Sequence, residues 1–177
     1  MELKVPEKEI EYKPVVLDDG SVKLKKKVDI KRGSKNRSRG GQFELRVRKD
    51  LEEKGWSVDK WSNNVDMAFG SDSGESEIGK IVPCKRVFKR FGIGKGVMTI
   101  GTGFPDFVCL EKRGNLYEVI GVEVKMNGTL SREEKEKCKW LLENNIFSEI
   151  LIASKFKEKN RVHVEYVNFR EIEKRMR

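Results

Sequence analysis

One segment narrows the folds open to this chain more than any other: Val119-Ile-Gly-Val-Glu-Val-Lys-Met126 is apolar except at Glu123 and Lys125. A short run rich in Val and Ile reads as an apolar strand. Residues two apart in a strand project to the same side, so Glu123 and Lys125 point together. Unpaired charges in such a place are costly, and the strand needs compensating partners or a bound cation. Pro105-Asp106 offers one partner, directly before the strand-like Phe107-Val-Cys-Leu110. A turn at Lys112-Arg-Gly-Asn115 would fold this segment back on Tyr117 to Lys125 as a hairpin, setting Asp106 beside Glu123.

The neighbouring segments supply the layers around that hairpin. A helix is predicted over about 42–54, ending at Gly55, with Phe43, Val47 and Leu51 as its buried stripe and Glu44 at the edge of that stripe. Trp56 to Trp61 follows as a first strand, with Trp56 and Val58 on one face. Ser131 opens a second helix with Glu134 three residues later, the reciprocal capping-box pattern, and Cys138, Leu141 and Leu142 supply its apolar face. Ile150-Leu-Ile-Ala153 reads as a strand covered on both sides, and 162–167 as another in which His163 is half-buried. Asn168 caps a final helix. The order predicts a single α/β domain, a mixed central sheet flanked by helices.

Ahead of this domain the chain is polar and basic. Val15-Val-Leu17 and Val22-Lys-Leu-Lys25 around an Asp-Gly turn predict a hairpin, and 31–41 (KRGSKNRSRGG) reads as a flexible loop. Of the net charge of +9, residues 22–40 carry +8: nine basic side chains against Asp29 alone. Such a concentration suits a polyanion, because Lys and Arg replace the counterions condensed on phosphates. Lys25, Lys27, Lys31, Arg32, Lys35, Arg37 and Arg39 are the expected nucleic-acid contacts, joined by Lys95, with Arg46 and Arg48 as weaker candidates. Residues 67–102 combine a Gly/Ser stretch with a basic segment and read as a mobile insertion; Gly92-Ile-Gly-Lys-Gly96 lacks the spacing of a Walker loop. The expected organisation is a basic arm over 1–40 and one domain over 41–177, with the insertion at about 67–102.

Other residue counts exclude classes of chemistry. His163 is the sole histidine, which removes Ser-His-Asp triads and His-rich metal sites. Cys84, Cys109 and Cys138 form no C-x-x-C pair and imply neither a disulfide framework nor a zinc site. No apolar run reaches the roughly 18–20 residues of a membrane span, and the charged start lacks a signal-peptide core, so a soluble, cytoplasmic protein without membrane partners is expected. Heavy use of Lys and Glu with a single glutamine points to a thermophilic source. Trp56, Trp61 and Trp140 are assigned to the core.

An active site must then be built from carboxylates and lysine. Asp106 and Glu123, with a backbone carbonyl at Val124, suit hard Mg²⁺, for which Mn²⁺ can substitute. Such a metal polarises a phosphoryl group and activates water; Lys125 would orient that water or stabilise developing charge, and Glu44 would assist the metal site. Pro105-Asp106 followed by Glu123-Val124-Lys125 resembles the PD-(D/E)XK nuclease signature. Arg39 to Trp56 is similar to the opening helix of archaeal Holliday junction resolvases, and Gly121 to Ser154 resembles the VRR-NUC branch in its order of strand, Ser-capped helix and strand. The resemblance covers roughly 39–66 and 103–170; the insertion and the arm stand outside it. It implies a restriction-endonuclease-like αβββαβ core, a divalent metal at Glu44, Asp106, Glu123 and Val124, often a homodimer, and cleavage of nucleic acid, without settling the substrate. A DNA endonuclease is the expected activity, with structure selectivity like that of the junction resolvases or action on RNA left open. The alternative is a non-catalytic DNA-binding protein that keeps the fold and the basic arm.

Overall fold

The computed structural model describes residues 10–17, 20–68, 78–92, 95–100, 103–159 and 161–175. It divides into two units, Met1–Gln42 and Phe43–Arg177. In the first, β1 (Tyr12–Val16) pairs antiparallel with β2 (Val22–Lys26), Tyr12 opposite Lys26 and Val16 opposite Val22. This is the expected hairpin; Asp18 and Asp19 of its turn lie outside the described residues.

The expected loop over 31–41 is instead helix, part of α1 (Lys27–Glu53). Lys and Arg are good helix formers, no proline interrupts, and Gly33, Gly40 and Gly41 cost only about 1 kcal/mol each. Phe43, Val47 and Leu51 are buried in the second unit and fix the C-terminal turns. Extension towards the N-terminus then needs no new nucleus, which is the costly step in helix formation. Asp29 in the first turn favours the helix dipole and pairs with Arg32 at 2.9 Å. Glycine and charge marked this segment as a loop, and propagation from an anchored helix outweighed both.

The second unit continues with β3 (Ser57–Lys60), β4 (Asn63–Ala68), β5 (Ile78–Pro83), β6 (Arg86–Gly92), β7 (Lys95–Ile100), β8 (Phe107–Arg113) and β9 (Leu116–Val124). It ends with α2 (Arg132–Glu143), β10 (Glu149–Glu158), β11 (Arg161–Asn168) and α3 (Phe169–Lys174). Five strands form a mixed sheet in the order β11-β10-β9-β8-β3. β9 and β10 run parallel and the other neighbours antiparallel. A parallel pair needs a long crossover, which α2 supplies.

Alternation along the central strands feeds two cores on opposite faces of the sheet. On one face Phe43, Val47 and Leu51 of α1 pack with Val58, Phe107, Cys109, Ile120, Val122 and Ala153. On the other, Cys138, Leu141 and Leu142 of α2 and Phe169 of α3 pack with Phe147, Ile150 and Ile152. Each fully buried aliphatic or aromatic side chain contributes about 1.5–3 kcal/mol.

Two further expectations are corrected. In the segment read as a mobile insertion, β6 pairs antiparallel with β7, and β5 pairs antiparallel with β4, which begins ahead of the segment at Asn63. Val65 and Met67 of β4 are buried in the α2-side core, because their period-two spacing puts both on one face. Residues 69–77, 93–94 and 101–102 of the segment lie outside the described residues. His163 is exposed rather than half-buried; Val162 and Val164 take the inward positions of β11. Trp56, Trp61 and Trp140 pack against the cores, Trp61 edge-on to Phe147 at 5.3 Å between ring centres. No described helix is long and apolar enough to cross a membrane.

Candidate active site

The site begins with the register of the β8–β9 hairpin. Phe107 lies opposite Val122, so Asp106, one residue before β8, falls beside Glu123. The Phe104–Pro105 peptide is cis. Phe104 N–H donates to the Asn63 carbonyl at 2.9 Å, and Trp61 N–H donates to the Asp106 carbonyl at 3.2 Å. Gly121 makes room for this turn: a Cβ there would come within 2.8 Å of Pro105 Cγ.

Asp106 and Glu123 interlock through the backbone. Asp106 N–H donates to Glu123 Oε2 at 3.2 Å, and Val124 N–H donates to Asp106 Oδ2 at 2.9 Å. Asp106 Oδ1 accepts no hydrogen bond among the described residues. Glu123 is 4% exposed and is the buried charged residue of this core. Burial, reinforced by the Asp106 carboxylate, pushes its carboxyl up to about 8, against the opposing pull of Lys125. Burial also raises the Asp106 carboxyl; the Val124 N–H opposes this and the charge of Glu44 adds to it. In both carboxyls burial is the larger cause, and nearby cations only partly offset it.

Lys125 follows the last residue of β9 and is held by its N–H to the Ala153 carbonyl at 2.9 Å. Its ammonium contacts Glu123 Oε1 at 3.0 Å and Glu134 Oε1 at 2.5 Å. Burial alone would lower its pKa, but the Glu134 and Glu123 carboxylates outweigh that and raise it, so the side chain is cationic. Glu134 also makes the capping box expected from the sequence, donating N–H to Ser131 Oγ and accepting from Ser131 N–H.

Glu44 on α1 is close enough for its charge to act on Asp106, but its Oε2 is paired with Lys60 Nζ at 2.5 Å. Lys60 also lies 4.5 Å from the centre of the Phe107 ring, and its charge lowers the Asp106 pKa. Sequence reasoning named neither Lys60 nor the second role of Glu134. Glu134 was visible as a helix cap, whereas Lys60 became visible only once the pairing of β3 with β8 was known.

The donor set fits a hard divalent cation in a limited way. Among the described residues no three Asp, Glu, His or Cys side chains are grouped so as to hold a metal. Asp106 and Glu123 are the two adjacent carboxylates, and Mg²⁺ is commonly held by one or two carboxylates with water and substrate phosphate completing its shell. Val124 N–H donates to Asp106 Oδ2, which leaves its carbonyl as the backbone group that would face a metal.

Of the expected nucleic-acid contacts, Lys25 is exposed on β2, and Lys31, Lys35, Arg37 and Arg39 are exposed on α1. Lys27 pairs with Glu11 at 2.5 Å and Arg32 with Asp29. The side chain of Lys95 lies outside the described residues. Arg46 is exposed and Arg48 half-buried, donating to the Val162 carbonyl at 2.7 Å and the Val58 carbonyl at 2.9 Å. Comparison with protein-family models, with curated proteins and with solved structures finds no match to this chain.

Proposed function

We propose that this chain is a Mg²⁺-dependent endonuclease of the PD-(D/E)XK type that hydrolyses phosphodiester bonds in DNA. The observation that carries the reading is half-buried Asp106 interlocked with buried Glu123, with the Lys125 ammonium against Glu123. Asp106 and Glu123 would hold the metal, and Glu44, released from Lys60, would approach from α1. Bound Mg²⁺ supplies Lewis acidity to the phosphoryl group and lowers the pKa of water. Lys125, cationic and anchored, would donate to a phosphate oxygen and offset the charge that develops as the bond breaks.

Two further features support the reading. With β4 to β7 set aside as an insertion, the remaining order α1-β3-β8-β9-α2-β10 would correspond to the αβββαβ core that the resemblance implies. The exposed Lys31, Lys35, Arg37 and Arg39 suit a phosphate backbone. Symmetric cutting of both strands would require a second copy, so a homodimer belongs with the proposal for duplex or junction substrates.

The test is a labelled panel of four-way junction, flap, duplex, single strand and RNA, incubated with Mg²⁺, Mn²⁺ or EDTA. The expected result is metal-dependent cutting that disappears in Asp106→Ala while folding is retained. Normal cutting by Asp106→Ala would refute the site. Salt-sensitive DNA binding indifferent to metal, with no cutting, would support the non-catalytic DNA-binding reading.

A further inference from the structure

Lys125 is a long, flexible side chain, and its use in a site depends on what holds its end. Glu123 Oε1 supplies one contact at 3.0 Å, but both oxygens of that carboxylate are already engaged, the other by Asp106 N–H. The second contact comes from α2. Glu134 Oε2 accepts the Ser131 N–H at 2.8 Å, and Glu134 Oε1 faces Lys125 Nζ. The two ends of the connecting loop are thereby tied: Gly128 N–H donates to the Lys125 carbonyl at 2.8 Å, and Leu130 is buried. A helix cap requires a side chain at this position that reaches back to the N-cap amide. It does not require the other oxygen to meet an ammonium from a different strand.

We propose that Glu134 is a positioning residue for Lys125, one carboxylate that fixes the first turn of α2 with one oxygen and holds the Lys125 ammonium against Glu123 with the other. The proposal deepens the nuclease reading and rests on it for the use of Lys125. It makes the start of α2 part of the site's geometry, so a change in the helix start would be felt at the ammonium. Ser131 Oγ is outside this device, since it only accepts the Glu134 N–H at 3.2 Å.

The experiment compares Glu134→Ala, Glu134→Gln and Ser131→Ala in the full chain. It reads the Lys125 side-chain ammonium by ¹H–¹⁵N NMR, thermal melting, and kcat and KM on the best panel substrate with Mg²⁺. Glu134→Ala should broaden or erase the slowly exchanging Lys125 ammonium signal. Loss of placement by about an ångström should lower kcat by up to about 10²-fold with KM unchanged. Glu134→Gln has one acceptor oxygen, which can keep the Ser131 N–H cap while its NH2 faces the Lys125 ammonium, so melting should recover but the ammonium signal and kcat should stay low. Ser131→Ala should melt lower, yet keep the ammonium signal and kcat within about twofold, since cap loss alone is a stability effect. An unchanged ammonium signal and kcat in Glu134→Ala would overturn the proposal, as would a kcat loss in Ser131→Ala equal to that in Glu134→Ala. If Glu134→Ala does not fold, the Glu134→Gln and Ser131→Ala comparison decides between the same outcomes. If the wild type cuts nothing, the nuclease reading fails, and loss of the ammonium signal in Glu134→Ala alone still separates a hold on Lys125 from a simple cap.

Discussion

Replacing Glu123 by Gln should make the metal-free protein more stable at alkaline pH while abolishing its activity. Glu123 is 4% exposed, and its carboxyl rises from an ordinary value of 4.5 to about 8 because burial and Asp106 disfavour its charge. The sign follows from proton binding: between those two pH values the folded state binds more protons than the unfolded state, so stability falls as pH rises. The contribution is fully present below pH 4.5 and is lost by about pH 8. The gap from 4.5 to about 8 corresponds to at most roughly 5 kcal/mol. Gln keeps the shape and an acceptor for Asp106 N–H but forfeits the ion pair with Lys125, so about half of that should be realised. For a chain of this size that is a gain of about 4–10 °C in Tm at pH 9, with little difference at pH 4.5. Thermal melts of both proteins in EDTA across pH 4.5–9 provide the assay, and saturating Mg²⁺ should raise the wild-type Tm alone. A Glu123→Gln protein that melts at or below the wild type at pH 9 would refute the claim that this charge is buried at a cost.

Other consequences follow from neighbouring geometry. Gly121→Ala should cost about 1–3 kcal/mol, because its Cβ would meet the Pro105 ring at 2.8 Å; an unchanged denaturant midpoint would contradict the close approach. Lys60→Met should tighten Mn²⁺ binding by about two- to fivefold, the scale of a partly exposed ion pair, because Lys60 occupies Glu44 at 2.5 Å; titration calorimetry showing weaker binding would show that Lys60 assists the site. The triple change Lys31→Ala, Lys35→Ala, Arg39→Ala should lower the slope of log K against log salt for DNA by about 2–3, since each phosphate contact contributes about 0.9. An unchanged slope would remove α1 from the binding surface.

The β8–β9 hairpin, α2 with its cap, and the pairing of Asp106 with Glu123 were legible because each rests on local chemistry. A period of two, a turn at Lys112–Asn115 and a Ser-x-x-Glu cap leave few alternatives over so short a span. The first half of α1 was not legible, since three glycines and a dense run of like charges describe a loop unless a distant anchor is known. Phe43, Val47 and Leu51 provide that anchor only through tertiary packing. Val65 and Met67 were missed because their strand pairs with residues beyond a polar Gly/Ser stretch. Within the site, Glu134 was seen as a cap and its second contact was not, because the loop from Lys125 to Ser131 had to fold first. His163 was misplaced because alternation identifies two faces without saying which is inward.

The most direct test of the central claim is single-turnover cleavage of the preferred panel substrate by wild type and Lys125→Ala, each with Mg²⁺ and with EDTA. The account predicts cutting only by the wild type and only with metal, with substrate binding retained in Lys125→Ala. Equal cutting by Lys125→Ala, or cutting by the wild type in EDTA, would contradict the assignment of Asp106, Glu123 and Lys125 as a metal-dependent nuclease site.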